Sequence, residues 1–154
     1  MSHRQPGKTA VRIAINADDQ LHGIDKLRLK KAVRAILKDA EIRSAEISIG
    51  VVTDECMHEL NRQYLDHDYP TDVLSFVLAH DKKRKSLEGE IIASSDYAAR
   101  EAPRYDWTMN EELLLYIIHG CLHLIGYDDT TARGKKKMTE AETKYLNQFG
   151  VERR

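Results

Sequence analysis

The chain has 154 residues, 32% charged and 42% hydrophobic, enough for one domain with a sizeable core. Its 24 Lys+Arg nearly cancel 25 Asp+Glu, so no overall basic excess marks it as a nucleic-acid binder. Collagen, coiled coil and membrane span are excluded, the longest apolar run being Leu113 to Ile118, and two cysteines, Cys56 and Cys121, make no disulfide framework.

Residues 1–9 are polar and patternless, which predicts a disordered tail ahead of a single domain over 10–150; with no leader-like apolar segment, a cytoplasmic location is expected. Val11 to Asn16 alternates apolar and polar residues as a half-buried strand does. Asp25 can cap a helix from Lys26 to about Glu41, with Leu29, Val33, Ile36 and Ala40 on one face. A second strand is predicted over 45–52, where Ile47, Ile49 and Val51 alternate, and a helix from Thr53 or Asp54 through Leu65. Val73 to Ala79 has the β-branched and aromatic content of a strand, the Lys82–Lys85 run reads as a solvated loop, and Gly89 to Ala93 as a short strand. A helix over 95–102 should stop at Pro103, and helices over about 109–125 and 131–149 close the chain. The expected class is α+β: a small mixed four-stranded sheet with about five helices, an αβα-type sandwich.

The helix over 109–125 is apolar nearly all round, so it is buried on every side. Into it are set His119 and His123, which at i and i+4 lie about 40° apart, close enough for both imidazoles to reach one point. Gly126 supplies a left-handed cap, and the chain turns through Tyr127-Asp128-Asp129, bringing a carboxylate back toward the histidines. Two imidazoles and a carboxylate leave one position of a tetrahedral Zn²⁺ site open, as catalytic sites do. Cys121, two residues after His119, points about 200° away and belongs to the core. The frame His119, His123, Gly126, position 129 is also that of metzincin proteases, but Gly120 stands where their general-base glutamate would be, which makes protease the weaker reading.

The segment His119-Gly-Cys-Leu-His-Leu-Ile-Gly-Tyr-Asp-Asp129 resembles the H-G-x-L-H-L-x-G-Y-D-H signature of the YbeY family of bacterial metal-dependent endoribonucleases. Leu60 to Phe76 is similar to a second family segment, L-N-x-x-Y-R-x-x-D-x-P-T-D-V-L-S-F, Gly89-Glu90-Ile91 resembles its G-D-I strand, and Met138 with Glu142 fit its last helix. The resemblance implies one zinc ion per chain on His119, His123 and Asp129, and cleavage of single-stranded RNA in 16S rRNA 3′-end maturation and ribosome quality control. It also implies the small ribosomal subunit or its proteins as partners.

Two departures stand out. Asp129 replaces the family's usual third histidine, which leaves Mn²⁺ or Ni²⁺ open beside zinc, and Asp128 becomes the candidate to move a proton or orient a ligand. Leu65 replaces a family arginine, and Arg62, one helical turn earlier, is the candidate to meet the scissile phosphate instead. Both departures favour the alternative of a non-catalytic ribosome-assembly factor with a structural metal. For substrate contact, Lys30, Arg34 and Lys38 follow Lys26 every four residues as a basic stripe, and Thr71, Asp72 and Ser75 match the second family segment as candidates to line the groove, although Thr71 and Asp72 equally suit a turn before a strand. The near-neutral total hides segregation: residues 1–38 hold nine Lys+Arg against three Asp.

Overall fold

Strands β1 (Ala10–Ala17), β2 (Ser44–Val52), β3 (Val73–Asp81) and β4 (Ser86–Ser94) form one sheet in the order β1-β2-β4-β3. β1, β2 and β4 are parallel, while β3 pairs antiparallel with β4 as the edge strand of a hairpin. The structure is a computed structural model and describes residues 10–64 and 72–153. The predicted tail over 1–9, and Leu65 and Thr71, lie outside the described residues.

Alternation sets the two faces of the sheet. Ala45, Ile47, Ile49 and Val51 of β2 and Leu87, Ile91 and Ala93 of β4 point to the main core, under helices α1 (Lys26–Asp39) and α4 (Met109–Leu124). On the other face Leu74 and Ile92 meet Met57 of α2 (Asp54–Tyr64), a second and smaller cluster. Helix α3 (Ser95–Glu101) packs on α4, and α5 (Ala132–Gln148) covers α4 from outside, burying Met138, Ala141, Tyr145 and Leu146. The mixed four-stranded sheet with five helices expected from the sequence is present.

α4 begins with a capping box, Thr108 Oγ1 accepting from Glu111 N–H while Glu111 Oε1 accepts from Thr108 N–H. Asp25 caps α1 as expected, its carboxylate accepting from Arg28 N–H.

Among the boundaries that differ from expectation, three have a local physical reason. α1 ends at Asp39, and Ala40 is its exposed cap; Leu37 and Ala32 are the buried residues instead. Pro103 does not stop the chain's winding: it enters a 3₁₀ turn over Ala102–Tyr105, where its missing N–H is not needed. β4 is nine residues long, since Glu88 and Glu90 continue the alternation on its solvent side, and Lys82–Lys85 is the turn of the β3–β4 hairpin.

Candidate metal centre

The last turns of α4 carry the centre. Gly126, at φ 107°, closes the helix with a Schellman pair, Gly126 N–H donating to the His123 carbonyl and Tyr127 N–H to that of Leu122. That turn aims the Tyr127 carbonyl back at the helix, where it accepts from His123 Nδ1–H at 2.9 Å. Two residues on, Asp129 Oδ2 lies 3.5 Å from His119 Nε2 and 3.6 Å from His123 Nε2, and the two Nε2 atoms are 3.1 Å apart. A tetrahedral zinc with bonds of 2.0–2.1 Å has edges of about 3.3–3.4 Å, so a point about 2 Å from all three atoms exists. The donors therefore fit a zinc ion, and they are the one His/Cys/Asp/Glu group of that kind among the described residues.

His119 is held from behind. Its Nδ1 lies 2.7 Å from Glu142 Oε2 of α5, and the other oxygen of that buried carboxylate accepts from Arg153 Nη1 at 3.0 Å. With Nδ1–H donated to a carboxylate, the Nε2 lone pair is left facing Asp129. Burial pulls the His119 pKa down, but the hydrogen bond and charge of Glu142, joined by Asp129 and Asp72, outweigh it and hold the pKa above the ordinary histidine value.

Both histidines open onto a cleft of about 430 Å³ whose other wall is β3, with Asp72 at its head and Ser75 within the lining. Ser75, named from the sequence only as a candidate to contact RNA, thus shares the cleft of the histidines. Asp72 joins it, its Oδ1 accepting from Val73 N–H at 2.8 Å. Gly120 explains why no general-base glutamate follows the first histidine: a Cβ there would lie 2.7 Å from Ile91 Cγ2 and 3.2 Å from Val73 Cγ2. Helix α4 meets the sheet through this residue, and a side chain there would have to displace Ile91. Cys121 is fully buried in the core, where burial pushes its thiol up to about 12.

Other expected site residues stand apart from that cleft. Asp128 is exposed and lines a second cleft, of about 1000 Å³, on the α5 side of the loop; hydrogen bonds from Thr130 hold its carboxyl below the usual range. Arg62 is exposed on α2, 3.4 Å from Glu59 Oε2, and is absent from the described lining of the histidine cleft. Lys30, Arg34 and Lys38 lie along α1; Arg34 Nη1 donates to the Val11 carbonyl at 3.3 Å, and Arg34 and Lys38 line a third cleft. Sequence reasoning met Asp72 only as a groove-lining candidate from the second family segment and Glu142 only through the last-helix resemblance, and it missed Arg153 as a site residue. A glutamate on the buried face of an amphipathic helix was the one signal for a partnered carboxylate there.

Residues 14–150 match the family model described as Endoribonuclease YbeY. A protein of that name from Salinibacter ruber is 36% identical over 142 residues, covering 88% of this chain and 90% of its own. Its counterpart from Persephonella marina is 40% identical over 119 residues, 76% of this chain and 78% of its own. A Thermotoga maritima protein solved in solution superposes with a TM-score of 0.63 at 30% identity, covering 90% of this chain and 88% of that one.

Proposed function

The chain belongs to the Endoribonuclease YbeY family, and on that premise we propose that it is a metal-dependent endoribonuclease cutting single-stranded RNA. Its cellular task in this reading is 16S rRNA 3′-end maturation and ribosome quality control in the cytoplasm, with the small ribosomal subunit as partner. The observation that carries the metal dependence is the triangle of His119, His123 and Asp129 opening onto the β3 cleft. When bound there, one zinc ion per chain supplies Lewis-acid chemistry at a phosphate oxygen and activates water, and the mixed nitrogen and oxygen donors also suit Mn²⁺ or Ni²⁺.

The protein's own groups do the rest. Glu142 and the Tyr127 carbonyl hold the two imidazoles with their Nε2 atoms turned inward, where they would ligate a metal. Ser75 offers a hydroxyl to RNA in the cleft, and Asp72, beside it, accepts the proton of the attacking group. Asp128 and Arg62 are the other catalytic candidates, Asp128 by its place next to Asp129 and Arg62 by its place before Leu65. Lys30, Arg34 and Lys38 lead RNA along α1, and Thr71 is assigned to the same groove from its sequence match alone.

One assay tests the reading. Protein of known metal content is incubated with single-stranded and duplex RNA, with and without chelator. Cleavage of the single strand that chelator abolishes is expected, and Asp72→Asn should slow it by about 10² or more. An unchanged rate for Arg62→Ala or Asp128→Asn removes that residue from the mechanism. Stoichiometric metal with no cleavage would instead support the assembly-factor alternative.

A further inference from the structure

We infer that the end of the sandwich beside the metal loop is a composite basic surface, built from the end of α1, the β3–β4 turn and the start of α5, that holds the phosphates of a single RNA strand. The inference rests on the endoribonuclease reading and names where its substrate lies outside the cleft.

The fold, not any one segment, makes this surface. α1 and α4 begin together, Asp25 N–H donating to Asn110 Oδ1 at 3.0 Å and Asn110 Nδ2 to the Gly23 carbonyl at 2.8 Å. They pack side by side in the same direction, so Lys38 and the metal loop emerge at the same end. The beginning of β4 is there too: Gly89 packs on Leu124, the last residue of α4. The Lys85 carbonyl, just before β4, accepts from Arg43 N–H at 2.8 Å and Ser44 N–H at 3.2 Å, stitching the hairpin turn to the α1–β2 connection. Arg34, Lys38, Arg43 and Lys85 accordingly share one cleft of about 430 Å³.

α5 brings the third group. It starts three residues after Asp129, and Arg133 and Lys137 line the larger cleft behind the metal loop together with Lys144. Lys144 and Tyr145 bond Asp39 at the end of α1, which ties that cleft to the α1 side.

Segments 38–43, 81–85 and 128–137 together hold ten Lys+Arg against five Asp+Glu, a surplus of five in a chain whose net charge is -1. Glu41 and Asp81 each engage one cation, Lys85 at 3.6 Å and Arg84 at 3.9 Å. Exposed ion pairs of that kind are weak and yield readily to a polyanion. The remaining surplus flanks a loop whose Asp129 belongs to the metal centre, so a strand held by its backbone there passes the cleft whatever its sequence.

The test uses zinc-loaded full-length protein and a fluorescent single-stranded 2′-O-methyl RNA, which resists cleavage, with binding followed by anisotropy over a KCl series. Replacing Lys82, Lys83 and Lys136 by Gln should lower the slope of log K against log salt by about 2, since each single-strand phosphate contact contributes about 0.7. Binding at 0.1 M salt should weaken by about tenfold or more. The charge-matched triple variant of Lys31, Arg100 and Arg104 to Gln, exposed residues elsewhere on the molecule, should keep the wild-type slope. A wild-type slope in the first variant, or an equal loss in the second, overturns the inference. Cleavage of ordinary single-stranded RNA is measured in parallel: if wild type cleaves while the first variant keeps its slope, only this surface is wrong. If wild type neither binds nor cleaves, the endoribonuclease reading falls and this inference with it.

Discussion

At Glu142 a single carboxylate joins three parts of the molecule: its own helix α5, the His119 ring and Arg153. Only 5% of the residue is exposed, and a buried carboxylate is tolerable only where both oxygens find donors, as they do here. Glu142→Gln keeps the shape but replaces a charged acceptor of the Nδ1 proton by an amide that can also turn its NH₂ to the ring. Zinc affinity, read by competition with a chromophoric chelator, should fall by about 10- to 100-fold. The thermal midpoint of the metal-free protein serves as the control for folding. Affinity within twofold of wild type would mean that the ring is oriented without Glu142.

Among the elements, the loop from Gly126 to Thr131 matters most, because it presents Asp129 between α4 and α5. Gly134, in the first turn of α5, has the Asp128 carbonyl where its Cβ would stand, and its own N–H donates to Thr131 Oγ1. Gly134→Ala must therefore push the loop outward. Stability should drop by about 1–3 kcal/mol and zinc binding should weaken as Asp129 leaves the histidines. Unaltered metal affinity by the same chelator competition would show that the loop can give way without moving its ligand. What the sequence revealed divides along the same line. The i, i+4 histidines, the Gly126 cap, the apolar α4 and the alternation of β2 are local patterns, and they were legible. The cleft's other wall was met only through the family resemblance, without its place beside the histidines: Asp72 and Ser75 reach them because β3 pairs antiparallel with β4, and no local spacing encodes a strand pairing. Gly120 could be read as the loss of a general base, whereas its closeness to Ile91 and Val73 appears only once α4 lies on the sheet.

Across the whole molecule, α5 is the outer helix, and what fixes it to the rest decides how firmly Glu142 and the metal loop are held. One anchor reaches α1: Tyr145 O–H donates to Asp39 Oδ2 at 2.8 Å, with Lys144 Nζ at 3.4 Å from the same oxygen. The Tyr145 hydrogen bond holds the Asp39 carboxyl below its ordinary value, against the opposing effect of burial and with further help from Lys144. A carboxyl whose pKa is lower in the folded than in the unfolded chain stabilises the fold above the unfolded value of about 3.9, and that contribution disappears as pH falls through the folded value. Tyr145→Phe keeps the ring in the core and removes only the hydroxyl. Near pH 7 it should cost about 1 kcal/mol, the net worth of one partly exposed hydrogen bond. The difference between the two proteins in urea unfolding should hold from neutral pH down to about pH 5, narrow from about pH 4 downward, and close once Asp39 is protonated in both states. A difference that stays constant into strong acid would assign the loss to packing around Tyr145 and detach Asp39 from the stability of α5.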